Sequence, residues 1–256
     1  MIPKKIHYCW FGGNPLPDEA KQYIESWKKY CTDYEIIEWN ESNFDINCCC
    51  YVREAFEAKK WAFVSDYARF YVLCKYGGVY FDTDVEMIRS INDIVEKGAF
   101  MGIEAGKDIL VAPGLGIGAE PGNAVYREIL DYYDSQSFYL NDGSVNKMTV
   151  VTRVSEILKK NGYKASGRIE KVRNITIYPE DYFCPMNYHN GKVNITENTR
   201  TIHHYAETWH NPAERKIDSI RRHLYDTRLN GGYIEKIMIL PFRIWNRIIN
   251  MREKRK

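Results

Sequence analysis

Between Lys60 and Glu86 the chain reads as a helix, a glycine pair and a strand that ends in acids. The apolar spacing predicts a helix over Lys60–Tyr76, stopped by Gly77-Gly78, and a strand over Val79–Asp84. On that helix Asp66 and Arg69 are three apart and share a face. On an extended chain Asp82 and Asp84 point the same way, because side chains alternate with period two. Two carboxylates converging at a strand end suit a hard divalent cation, Mn²⁺ or Mg²⁺, which shares its remaining positions with phosphate. Alone, D-x-D reads as two solvated acids, and Asp66–Arg69 as a surface ion pair worth under ~1 kcal/mol. Their occurrence together with Gly77, Gly78 and Tyr80 inside nineteen positions is what points to a site.

The rest of the chain alternates in the same manner. Strands are predicted at Lys5–Trp10, Tyr34–Trp39, Ala99–Ile103, Ile175–Tyr178 and Thr201–Tyr205. Helices are predicted from Asp18 and over Asn123–Tyr133, Thr149–Lys160, Ala213–Arg228 and Tyr233–Arg252. The GLGIG run, Gly114–Gly118, reads as a permissive loop; it lacks the pattern of a phosphate-cradling motif. Strand–helix alternation followed by a helical tail predicts an α/β sandwich with a mostly parallel central sheet. The expected division is a domain over 1–229 and a tail over 230–256, broken near Asn230-Gly231-Gly232.

Composition excludes several classes. At 256 residues, 45% hydrophobic and 27% charged, the chain can bury a core without staples and is neither disordered nor a coiled coil. A net charge of +2 gives no ground for nucleic-acid binding. Seven cysteines without a C-x-x-C pair point away from a zinc ribbon and toward free thiols in a reducing cytosol. The apolar start is too short for a signal peptide, and no run reaches the ~18–20 apolar residues of a membrane span. The 20 Tyr and 6 Trp suit nucleotide and sugar surfaces, and equally a core.

The string SDYARFYVLCKYGGVYFDTD resembles the sugar-nucleotide signature of glycosyltransferase family 32. This is the DXD sugar-binding group of capsule and surface-polysaccharide enzymes and yeast mannosyltransferases. The glucosyltransferase domains of large clostridial toxins carry the same signature. The start, IPKKIHYCWFGG, and a late segment, IHHYAETW, extend the resemblance over about residues 2–210. It implies a GT-A-type, Rossmann-like fold and a metal-dependent, retaining hexosyltransferase. The implied donor is a nucleotide-sugar, UDP-linked, and the implied cofactor Mn²⁺ or Mg²⁺. By this resemblance Trp10 stacks on the base, Asp66 and Arg69 hold base, ribose or sugar hydroxyls, and Tyr80 lines the same site. Asp82 touches ribose and a metal-bound water, and Asp84 ligates the metal. A late histidine completes the shell. Thr201–Tyr205 as a strand sends His203 and His204 to opposite faces, so one of them serves. Counting back from Trp209, which the resemblance places by the pyrophosphate, favours His204; aligning the IH start favours His203. Glu120, Asn123 and Asp142 are further candidates for sugar or acceptor, each also readable as a loop or cap residue. The segment DGSVNKMTVVT departs from the family's TGP-like pattern, so acceptor detail is not carried over.

Two other function classes remain: a nucleotide-sugar-binding protein that has lost catalysis, and a scaffold with a basic tail. Residues 233–256 hold seven Lys or Arg against Glu235 and Glu253, a net of +5, with apolar residues at helical spacing. That pattern fits a helix lying on an anionic membrane and, equally, a terminal helix packed on the domain. The first reading makes the protein a cytoplasmic one, peripheral on the inner face of the membrane. Its acceptor would be a glycan or a lipid-linked one, in surface-polysaccharide synthesis.

Overall fold

A computed structural model describes residues 1–106, 108–206, 212–225, 227 and 231–253. The chain divides into two compact units, one of residues 1–185 with 194–204, the other of residues 186–193 with 205–256.

In chain order the first unit contains β1 (Lys5–Cys9), α1 (Asp18–Tyr30), β2 (Glu35–Trp39), α2 (Cys50–Glu57), α3 (Trp61–Tyr76), β3 (Gly78–Tyr80) and β4 (Val85–Met87). It continues through α4 (Asn92–Val95), β5 (Phe100–Gly102), β6 (Ile117–Ala119), α5 (Ala124–Asp134), α6 (Val150–Lys160), β7 (Glu170–Val172), β8 (Ile175–Tyr178), α7 (Glu180–Phe183) and β9 (Thr201–His203). Seven strands form one sheet in the order β2-β1-β3-β6-β5-β8-β7, and β4 pairs with β9 in a separate antiparallel ribbon. Strands β2, β1, β3, β5 and β8 run one way; β6 and β7 run against them. The expected α/β sandwich with a mostly parallel sheet is therefore what forms. The sheet also holds strands that the sequence did not announce, β6 and β7, each three residues long.

Period two divides the sheet's side chains between two cores. Cys9, Tyr80, Met101, Ile117 and Ile177 join α3, α5 and α6 in one cluster. On the other face Tyr8 meets Trp27 of α1 edge-on, and Phe100 stacks on Phe183 of α7. Helix α1 is amphipathic and buries Ala20, Ile24 and Trp27. Asp18 and Glu19 in its first turn and Lys28 and Lys29 in its last complement its dipole. Helix α3 is buried nearly all round, as a helix without a polar face must be.

The turn out of α3 needs its two glycines. Gly77 and Gly78 have φ of 64° and 113°, and a Cβ on either would meet Pro121 at 2.6 Å or the Lys5 carbonyl at 2.8 Å. His7, fully buried, clamps this turn from β1. Its Nδ1 accepts from the Trp39 indole at 3.0 Å, so its Nε2 donates to the Gly77 carbonyl at 2.9 Å. Burial pushes this imidazole down to about 4, so it works as a neutral structural group.

The second unit contains α8 (Pro212–Leu224) and α9 (Tyr233–Glu253), which pack together, and the segment 186–193. His189 of that segment stacks on Tyr225, ring centroids 4.4 Å apart. The helical C-terminal tail is as expected. Among the described residues no helix is long and apolar enough to cross a membrane.

Candidate functional site

The acids sit where β1 and β3 end, the side of an open α/β sheet on which ligands bind. The expected strand Val79–Asp84 is shorter than its pattern: β3 stops at Tyr80 and the chain turns, with Val85 N–H donating to the Asp82 carbonyl at 3.1 Å. Asp82 and Asp84 therefore converge through a tight turn and not through the pleat of a strand.

Asp82 is held through its backbone and one carboxylate oxygen. Its backbone N–H donates to the Gly114 carbonyl at 3.0 Å. Its Oδ1 accepts from the Tyr80 hydroxyl at 2.9 Å and lies 3.3 Å from Arg69 Nη2. Its Oδ2 occupies the place of a Gly114 side chain, so any Cβ there would collide with it. Gly114 thus belongs to the site by close approach. It precedes β6, whose antiparallel course brings its start to the same sheet edge.

Arg69 joins Asp66, the neighbour its spacing gives it, and also Asp82, a pairing the sequence did not suggest. Its Nη2 lies 3.0 Å from Asp66 Oδ1, its Nε donates to the Ser65 carbonyl at 3.1 Å, and its guanidinium covers the Tyr80 ring at 5.0 Å. The group is held above its ordinary value although burial opposes the charge, because Asp82, Tyr80 and Asp66 outweigh burial. Burial pushes Asp66 up to about 6; Arg69 pulls it down and Asp82 pushes it further up. The folded protein thus takes up a proton on Asp66 that the unfolded chain, at an ordinary 3.8, does not hold. Stability from this group falls as pH climbs from about 4 through about 6. The melting temperature of the wild type, taken relative to that of Asp66→Asn, should fall across that window; parallel curves would remove the shift.

Asp84 meets β9. Its carbonyl accepts from the His204 N–H at 2.9 Å, and its Oδ1 lies 3.2 Å from His203 Nε2. Val85 stands opposite His203 in the β4–β9 ribbon, and that register decides between the histidines. His204 points the other way, bonds Glu86 Oε2 at 2.9 Å and stacks on Tyr23 at 4.6 Å. The two imidazoles do face opposite sides, as alternation requires. The preference for His204, reached by counting from Trp209, is corrected here: the structure brings His203 to Asp84. Burial opposes charge on His203, yet Asp84 and then Cys184 raise it well above its ordinary value.

Asp82, Asp84 and His203 offer one ligand atom each within 4.8 Å of one another. Two carboxylates and an imidazole form an oxygen–nitrogen donor set that fits a divalent ion, and the imidazole suits Mn²⁺ better than Mg²⁺. Trp10 follows β1, its N–H donating to the Trp39 carbonyl at 2.9 Å and its indole to the Asn14 carbonyl at 2.6 Å. Trp209 lies outside the described residues.

The three further candidates have local roles. Asn123 caps α5 by accepting from Val125 and Tyr126, and Glu120 holds the side-chain amides of Asn123 and Asn174. Asp142 closes its own turn onto Ser144. Sequence reasoning missed Glu104, whose carboxyl burial raises and His203 lowers. It lies in an unremarkable stretch after β5, and nothing in its neighbourhood of sequence marks it.

Residues 17–101 match a family model described as a glycosyltransferase sugar-binding region containing a DXD motif. The chain is 24% identical over 202 residues to an uncharacterized glycosyltransferase of Acanthamoeba polyphaga mimivirus, covering 75% of this chain and 76% of that one. Among solved structures it is similar to the PaToxG glycosyltransferase, with TM-score 0.48 and 19% identity, over 62% of this chain and 69% of that one. A further similar structure is a glycosyltransferase involved in glycosylation of the major capsid of PBCV-1, with TM-score 0.44 and 9% identity, over 88% and 100%.

Proposed function

We propose that this chain, a glycosyltransferase carrying the DXD sugar-binding region, moves a hexose from a UDP-sugar to a glycan or lipid-linked acceptor in a metal-dependent, retaining reaction. The observation that carries the reading is the meeting of Asp82, Asp84 and His203, residues from a turn and a strand more than a hundred positions apart. These three would hold the cation, Mn²⁺ in preference to Mg²⁺. Bound there, it supplies Lewis-acid stabilisation of the charge that builds on the departing nucleoside diphosphate.

The chain's own residues do the rest. Tyr80 and Arg69 fix Asp82 so that one carboxylate oxygen is committed to the protein and the other is left for ligands. Asp66, anchored to the same guanidinium, presents an acceptor for donor hydroxyls. Trp10 offers an indole face for the base. Stacking of this kind is worth roughly 1–3 kcal/mol per base, so Trp10→Ala should raise the donor KM about tenfold or more with little change in kcat. An unchanged KM would refute the stacking role. The indole of Trp209 would donate to a phosphate or the glycosidic oxygen. Retention and the GT-A type of fold are what the resemblance implies.

Surface-polysaccharide assembly is the setting this reading favours, with the protein on the inner face of the membrane and in peripheral contact through residues 233–256. The deciding experiment is a panel of nucleotide-sugars with and without Mn²⁺, scored for release of nucleoside diphosphate. Metal-dependent turnover of a UDP-sugar is expected. Tight UDP-sugar binding with no turnover on any acceptor would instead favour the inactive binding protein.

A further inference from the structure

Helix α9 carries three faces. Glu235, Ile239, Phe242, Asn246 and Ile249, spaced four and three apart, turn inward: Ile239 is fully buried, and Glu235 is 8% exposed. Glu235 accepts from the Gly231 N–H and lies 3.5 Å from Arg221 of α8; Asn246 donates to Glu214 of α8 at 3.4 Å. The apolar residues are therefore more than one core-facing stripe needs. Ile234, Ile237, Met238, Ile244, Trp245 and Ile248 point outward, with Ile237 51%, Ile244 52% and Trp245 44% exposed. At 100° per residue they form one broad face, and Lys236, Arg243 and Arg247, all exposed, line up along its flank. No exposed carboxylate accompanies that face among the described side chains of the helix, because Glu235 is turned inward.

We propose that this outer face of α9 lies in the interface of an anionic lipid bilayer, with the apolar residues among the acyl chains and Lys236, Arg243 and Arg247 at the headgroups. Charge selects this occupant. A second copy docking through the same face would bring two cationic flanks together with no acid among the described side chains of that face to meet them, at a cost that an anionic surface turns into a gain. The apolar area alone would hold the helix weakly; apolar burial plus basic attraction is what interfacial helices use. The remaining basic residues, 252 and 254–256, add to the same charge in sequence. This rests on the functional reading only for the acceptor's presence at a membrane, and it assigns the face, its charge flank and its lipid class.

The test uses the full chain, sedimented with vesicles of phosphatidylcholine alone and of phosphatidylcholine mixed with phosphatidylglycerol. Binding is expected to the mixed vesicles, to weaken with salt, and to drop at least about tenfold in Ile244→Asp/Trp245→Asp. Arg243→Glu/Arg247→Glu should lose about tenfold or more on mixed vesicles only. All four positions are exposed, so circular dichroism and nucleotide-sugar turnover should stay at the wild-type level. Equal vesicle binding by wild type and both variants overturns the proposal. So does a dimer in light scattering that Ile244→Asp/Trp245→Asp dissolves, with no vesicle binding. Vesicle binding in the expected pattern without turnover of any nucleotide-sugar would sink the functional reading and leave this one standing; turnover without vesicle binding would do the reverse.

Discussion

Asp84→Asn should lose about a thousandfold or more in kcat/KM, which corresponds to the several kcal/mol that a Lewis acid contributes to a charged leaving group. The substitution keeps the volume of the side chain and changes only its charge and ligand strength. Asp84 lies in the turn between β3 and β4, outside the hydrophobic cluster, and its backbone carbonyl keeps the bond to the His204 N–H. The ion pair with His203 is lost, so the imidazole reverts toward its ordinary value. Because the imidazole can shed its proton where an arginine cannot, melting should fall by less than for a buried arginine pair, by about 4–8 °C. Turnover at the wild-type level would remove Asp84 from the chemistry; a larger fall in Tm would mean that the loss came through the fold.

Arg69→Met should have the largest effect on stability. Arg69 is the only cation within 4 Å of Asp66 and Asp82 among the described residues, and its side chain is 5% exposed. Removing one partner of a buried pair leaves uncompensated charge, at a cost of about 3–5 kcal/mol. For a chain of this size that lowers the melting temperature by about 10 °C or more. Arg69→Lys should recover part of the loss, since a lysine restores charge but not the fork that reaches both acids and the Tyr80 ring. The deficit of the Met variant should shrink as pH falls toward about 6, because Asp66 relieved of Arg69 takes its proton above the value it holds in the wild type. Thermal unfolding across that range decides it. A Met variant melting with the wild type would show that the acids find their counter-charge elsewhere.

What could be read from the sequence was what local chemistry dictates. The end of α3 was legible because Gly77 and Gly78 hold backbone angles that side chains resist. Asp66, Arg69, Tyr80 and Asp82 were legible as a group because they fall within one helix, one turn and one strand. The limit of β3 was not, since VYFDTD alternates like a longer strand while the Asp82 carbonyl closes a turn onto Val85. Strand β6 hid in a glycine run with almost no side chains to show a period, and the same run supplied Gly114, whose bareness admits Asp82. The choice between His203 and His204 depended on pairing between Val85 and a strand more than a hundred residues later, which no local pattern encodes. The outer face of α9 was legible as apolar, but only its packing separates Phe242 and Ile249, turned inward, from Ile244 and Trp245, turned outward.

His203, and not His204, joins Asp82 and Asp84 in the candidate cation site. Mn²⁺ binding, followed by the paramagnetic resonance signal of the free ion with UDP present, should be weakened about tenfold or more by His203→Ala and left near the wild-type level by His204→Ala. Equal binding by the wild type and His203→Ala, or loss confined to His204→Ala, would contradict that assignment.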